Sequence, residues 1–355
     1  VSLAITNATI VTMNDSADVV TGDVWVEHGR IAAVGSVPAG ARPETTIDAE
    51  GAWLLPGLIQ THVHLCQTLF RGLAEDRSLL PWLRERVWPL EAAHDRHTLA
   101  ASARLAAAEL LLGGTTSVLT METVHETEAV LEALAPTGLR ATVGKCLMNT
   151  GALVPSRLIQ SGAAGLDEAL DLRRRWDGAA DGRLRVALAP RFALSCTHGL
   201  LEDTAAVARS ERALVHTHAA EQREEVALVR AETGRDNLQY LADRGLSGPH
   251  LCVAHGVWLT EAEQGLAAER DVKILHCPGS NLKLGSGIAP VPELRARGVS
   301  VSLGADGAAC NNALDMFQEM RLAALLQASR LCPGALAAYD VVSMATREGA
   351  RALGL

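Results

Sequence analysis

The residues best equipped for chemistry are histidines spaced two apart. His62 and His64 stand in His-Val-His, and His216 and His218 in His-Thr-His. On an extended chain, positions i and i+2 share a face, so two imidazoles can reach one ion. Glu221 follows three residues after His218. His255 comes later, and Asp306 lies in Gly304-Ala305-Asp306-Gly307. Singly, each has a bland reading: a histidine can be a satisfied core residue, and an Asp before Gly is commonly a turn residue. In this order they describe a divalent-ion centre. Such an ion lowers the pKa of a bound water from ~16 to ~7, which points to hydrolysis by activated water. Three imidazoles and a carboxylate suit Zn²⁺, and imidazole also suits Fe²⁺.

A scaffold must bring these distant segments to one point. Short apolar segments at 57–62, 116–120, 141–146, 184–189, 213–218, 251–255, 272–276 and 299–303 read as strands. Between them lie amphipathic or Ala-rich stretches, among them 97–112, 166–176, 202–210, 223–242, 260–269 and 316–328. Eight strands alternating with helices predict a parallel sheet closed into a (β/α)8 barrel of the TIM type. Barrel active sites sit at strand C-termini, where the histidines and Asp306 fall. A doubly wound sheet competes, but it would show a Gly-rich turn after the first strand, and none is present. Residues 1–55 differ: they read as short strands at 3–5, 9–11, 23–26 and 30–34, with a hairpin through Glu27-His28-Gly29. The expectation is a small β module over 1–55 and a barrel over 56–355.

Composition narrows the classes. The chain has 355 residues, nearly half of them hydrophobic, and a formal charge of −9. No basic block tracks a nucleic-acid backbone, and no apolar run spans a bilayer. The seven cysteines are odd in number and widely spaced, without C-x-x-C, which argues against a disulfide framework. The N-terminus lacks a signal-peptide apolar region. The expected protein is cytoplasmic and soluble, a homo-oligomer with a small-molecule substrate and no nucleic-acid or membrane partner.

Five segments carry a resemblance: His62-Val63-His64, then His218-Ala219-Ala220-Glu221, Ala254-His255-Gly256-Val257-Trp258, His276-Cys277-Pro278-Gly279-Ser280-Asn281-Leu282-Lys283, and Leu303-Gly304-Ala305-Asp306-Gly307. In this order they resemble the amidohydrolase superfamily. The match is to its branch of adenosine-type, guanine and s-triazine aminohydrolases and chlorohydrolases. The resemblance implies His62, His64, His218 and Asp306 as metal ligands. It implies Asp306 also as base, His255 on the water side, and Glu221 as the acid that protonates a ring nitrogen. His216 receives no role. Relatives continue beyond the position of Leu355 with strands that complete the small β module, so the expectation is a chain lacking that part.

The segment after the first strand, with Pro81-Trp82-Leu83 and Trp88-Pro89-Leu90-Glu91, is similar to the loop of S-adenosylhomocysteine and 5′-methylthioadenosine deaminases. There, the resemblance implies, Trp82 lines the pocket and Glu91 grips the ribose hydroxyls. A carboxylate accepting two hydroxyl hydrogens suits a vicinal diol. Asn281 belongs to the same pattern. Lys145 and Arg157 stand where arginines hold the homocysteine carboxylate, though lysine is a point charge and not a bidentate fork. The implied reaction is removal of the 6-amino group from an adenosine-type nucleoside: adenosine, 5′-deoxyadenosine, methylthioadenosine or adenosylhomocysteine. Alternatives are guanine, oxopurine or pterin deamination, s-triazine hydrolysis, and a non-catalytic barrel scaffold.

Overall fold

The structure, a computed structural model, describes residues 2–355. The chain divides after Gly57 into two compact units. In the first, β1 (Ser2–Val11) pairs antiparallel with β2 (Val19–Glu27), and β2 with β3 (Arg30–Gly35). The strands expected at 3–5 and 9–11 are one strand, carried on through an irregularity between Ile5 and Ala8. His28 and Gly29, at φ 52° and 73°, make the two-residue turn between β2 and β3. Positive φ at both positions gives the turn a twist that matches the strands. β4 (Thr45–Asp48) and β5 (Trp53–Leu54) run parallel to β1. Ala8, Ile10 and Val24 form the small core of this unit.

The second unit holds β6 (Leu58–His64), β7 (Thr115–Met121), β8 (Arg140–Leu147), β9 (Leu184–Pro190), β10 (Val215–Ala219), β11 (Leu251–His255), β12 (Lys273–His276), β13 (Val301–Leu303) and β14 (Asp306–Gly307). They pair in the order β13-β12-β11-β10-β9-β8-β7-β6-β14. Each pair is parallel, with helices as crossovers. β13 and β14 are consecutive in the chain, so the sheet begins and ends on two pieces of one strand. The Thr61 hydroxyl donates to the Leu303 carbonyl at 2.9 Å across the closure. The result is a (β/α)8 barrel whose eighth strand is broken at Gly304-Ala305. β6 is buried along its whole length, as a strand covered on both faces must be.

Helix limits follow local chemistry. Asp95 accepts from the Thr98 amide and caps Arg96–Leu112. The helix expected over 223–242 is two, Arg223–Thr233 and Asn237–Asp243, because Gly234 at φ 70° ends the first. The segment after β6, read from sequence as a loop, is instead mostly helical: Leu65–Phe70, Leu79–Trp82, Leu83–Val87 and Trp88–Ala93. Leu83–Val87 is a π turn, a wide turn often found where a helix serves a site. Among the described residues no helix is long and apolar enough to cross a membrane.

Gly304 is where the barrel seam meets the chemistry. A Cβ there would lie 2.5 Å from the His62 carbonyl oxygen and 2.7 Å from its nitrogen. Backbone cannot yield as a side-chain end can, so Gly304→Ala must spread β6 from the broken strand. The expected cost is ~1–3 kcal/mol, typical of overpacking, read as a lower melting temperature. An unchanged melting temperature would contradict this account of the seam.

Candidate active site

The barrel brings four donor atoms together. His64 Nδ1–H donates to the Met121 carbonyl at 2.7 Å, and His218 Nδ1–H to the Arg191 carbonyl at 2.7 Å. A carbonyl only accepts, so both rings carry hydrogen on Nδ1, and in the neutral ring Nε2 is then the lone pair. Those two Nε2 atoms face each other at 3.3 Å. Asp306 Oδ1 lies 3.2 Å from His62 Nε2 and 3.2 Å from His64 Nε2. His62 Nε2 is buried without a hydrogen-bond partner. Lone pairs converging in a buried site repel unless a cation lies among them. Atoms ~2.0–2.1 Å from a tetrahedral zinc stand ~3.3 Å apart, the spacing of three donor pairs here. The donor set therefore fits one divalent ion.

For His62 and His218 the electrostatics agree. Burial holds His62 down to about 4, and burial with His62 and His64 nearby holds His218 well below the ordinary histidine range. Both are neutral, as ligands must be. Burial would raise the Asp306 carboxyl, but His62 and His64 outweigh it and hold it well below the usual range. His64 is pulled down by burial and raised overall by the hydrogen bond and charge of Asp306.

Around the donors stand the groups for proton transfer. His255 ends β11 at φ 73°, and Asp306 opens β14 at φ 64°. Non-glycine residues held left-handed store strain of ~1–3 kcal/mol each, which surrounding structure must sustain. His255 Nδ1 contacts Asn281 Oδ1 at 2.9 Å, and its Nε2 lies 3.5 Å from Glu221 Oε2 and 3.8 Å from Asp306 Oδ2. Ser280 Oγ donates to Asp306 Oδ2 at 2.7 Å. Burial, then the Asp306 charge, pushes the Glu221 carboxyl well above the usual carboxylate range, toward its protonated form. Glu225 Oε2 accepts the Glu221 amide at 3.1 Å, and burial and Glu221 push Glu225 up to about 8.

A cavity opens on these groups. Its apolar wall is Leu79, Trp82, Leu83, Phe192 and Leu284, and its polar wall includes His64, His218, Glu221, Glu225, His255, Asp306 and Arg191. Gln222 ties the helical segment to the opposite wall: its Oε1 accepts from Leu79 N, and its Nε2 donates to Leu284 O.

The expected residues separate here. His62, His64, His218, His255, Glu221, Asp306 and Asn281 come together, and Trp82 lines the cavity. Glu91 is buried outside the lining, where its carboxylate takes a bidentate bond from Arg191 at 2.5 and 3.1 Å and one from Gln67 Nε2 at 3.0 Å. Lys145 is fully buried and donates to the Val124 and Cys146 carbonyls and to Gln160, beside Glu168. Arg157 donates to the Ala92 carbonyl. Neither cation lines the cavity. Sequence reading missed Arg191, Phe192, Glu225 and His216 as members of the site. Arg191 directly follows β9, so the strand-end rule that singled out the histidines could also have found it.

Residues 53–355 match the amidohydrolase family. The chain is 42% identical over 342 residues to a 5′-deoxyadenosine deaminase of Methanothermobacter thermautotrophicus, covering 96% of this chain and 78% of that protein. It is 41% identical over 338 residues to a 5-methylthioadenosine/S-adenosylhomocysteine deaminase of Halobacterium salinarum, covering 94% and 76%. Among solved structures, an adenosine deaminase from Xanthomonas campestris with bound zinc superposes with TM-score 0.91 at 35% identity, covering 99% of this chain and 80% of that one.

Glu225 gives a test of the site's electrostatics. Its folded-state pKa, about 8, lies above the ordinary 4.5. Its contribution to stability is thus fully present below 4.5 and is lost as pH rises through 8. Glu225→Gln should flatten the fall of melting temperature between pH 5 and 8. Equal slopes in mutant and wild type would contradict the assignment.

Proposed function

The chain belongs to the amidohydrolase family, and we propose that it is a hydrolytic deaminase of adenosine-type nucleosides. In this reading His62, His64, His218 and Asp306 hold one divalent ion, zinc. The observation that carries it is the convergence of four lone-pair donors beside the buried Glu221 carboxyl at one cavity. When bound, the ion supplies a water acidic enough to lose a proton near neutral pH.

The chain's own residues do the rest. Asp306 takes one proton from the water, and His255 orients its oxygen. Glu221 gives its proton to the ring nitrogen beside the amino-bearing carbon, which makes that carbon electrophilic. The oxygen–carbon bond forms and the carbon–nitrogen bond breaks. The proton held by Asp306 leaves with the amino group as ammonia, and the second water proton returns to Glu221. Glu221→Gln removes the proton donor and should lower kcat by ~10²–10⁴-fold.

Trp82 and Phe192 supply rings for a purine, with leucines around them. Arg191 is the only lysine or arginine on the wall and is already paired with Glu91. The Arg191 guanidinium offers ribose donors from the wall, with Glu91 behind it balancing the charge. Among the described residues the wall carries no uncompensated cation for a carboxylate on the 5′ side: Lys145 is turned to Gln160 and Glu168, and Arg157 lies off the wall. The favoured substrates are therefore 5′-deoxyadenosine and methylthioadenosine, and the amino-acid tail of adenosylhomocysteine is disfavoured.

The assay is the absorbance change from adenine to hypoxanthine. The expected order of kcat/KM puts 5′-deoxyadenosine and methylthioadenosine above adenosylhomocysteine. The reverse order would remove the argument from the cavity cations. Turnover of guanine or a chlorotriazine, with none of the adenosine series, would overturn the deaminase reading.

A further inference from the structure

His216 is fully buried on β10, two residues before His218. Its Nε2 lies 2.7 Å from His62 Nδ1, and its Nδ1 lies 3.2 Å from the Thr120 carbonyl. The rings meet edge to face, with centroids 4.8 Å apart and planes at 87°. Nothing else contacts either nitrogen by hydrogen bond or ion pair among the described residues.

Hydrogen placement follows from the acceptors. The Thr120 carbonyl can only accept, so His216 carries hydrogen on Nδ1. A second hydrogen would make the ring a buried cation with no carboxylate in contact, which is costly. His216 Nε2 is then a lone pair, and His62 Nδ1 must donate to it. That leaves the His62 lone pair on Nε2, the atom 3.2 Å from Asp306 Oδ1. The opposite tautomer of His62 would place a hydrogen on the atom that has to bind the ion.

The three histidine donors are therefore oriented in two ways. His64 and His218 lean directly on the Met121 and Arg191 carbonyls. His62 reaches a carbonyl only through a second imidazole. Thr120 and Met121 are neighbours at the end of β7, so one strand end orients two of the donors. We propose that His216 is a positioning residue that sets the tautomer and direction of His62, and through them the affinity of the metal centre. The proposal rests on the metal-centre reading above. It has a consequence that reading lacks, because this link is a side chain and can be substituted.

The test is Zn²⁺ affinity measured by chelator competition on the full chain, without reference to turnover. His216→Met removes the acceptor while filling the space. It is expected to weaken zinc binding ~10–100-fold, the usual cost of losing a ligand's orienting partner. His216→Gln can present an amide oxygen to His62 Nδ1 and is expected to recover most of that loss. Equal affinity of wild type and His216→Met overturns the proposal and leaves the metal centre standing. No zinc binding by the wild type overturns both. If His216→Met does not fold, nitrogen-15 NMR of the histidine rings in zinc-loaded wild type decides. Hydrogen on Nδ1 of both His62 and His216 supports the relay, and hydrogen on His216 Nε2 overturns it.

Discussion

Four lone pairs converging on one point are the constraint on which the rest of this structure depends. His64 Nε2 and His218 Nε2 stand 3.3 Å apart, and Asp306 Oδ1 stands 3.2 Å from two imidazole nitrogens. Backbone carbonyls fix the direction of two rings, so they cannot turn their hydrogens inward to relieve the repulsion. Such an arrangement is stable only around a positive charge. The neighbours respond to it: the imidazoles hold the Asp306 carboxyl well below the usual range, and burial with the Asp306 charge pushes Glu221 well above it. In the proposed reaction one centre thus holds a base and an acid whose pKa values are pushed in opposite directions, the separation of roles that hydrolytic deamination needs.

The barrel serves this centre by spending regularity at its seam. The eighth strand is broken into β13 and β14, with Asp306 turned left-handed at the break and Gly304 pressed against the backbone of His62. His255 takes a left-handed backbone at the end of β11. These departures point side chains at the centre from the strand ends, while the continuous β6 beneath supplies His62 and His64. The helical segment after β6 adds the cavity wall, and its π turn brings Leu83 beside Trp82.

How much of this was legible in the sequence varies with the range of the interaction. The histidines spaced two apart lie on one strand, so local geometry identified them. The alternation of apolar and amphipathic segments revealed the barrel for the same reason. The role of Glu91 was not local. Its partner Arg191 is 100 residues away in sequence, and only the closed barrel brings the two together. Lys145 shows the same limit: alignment placed a cation near the substrate, while burial turned its ammonium toward carbonyls and Gln160. His216 sat in plain view beside His218, yet its task depends on Thr120 and His62 from two other strands. The helical wall after β6 was read as a loop from its resemblance to one. The structure accommodates Pro81 in a first turn, where its missing amide costs little, and Pro89 directly after the π turn.

The central claim is that the four donors hold a catalytic divalent ion, and anomalous X-ray scattering on protein purified without chelator tests it most directly. The account expects one ion per chain, bound by Nε2 of His62, His64 and His218 and by Asp306 Oδ1, with activity that disappears on its removal and returns with zinc. A fully active chain with no ion among these four atoms would contradict it.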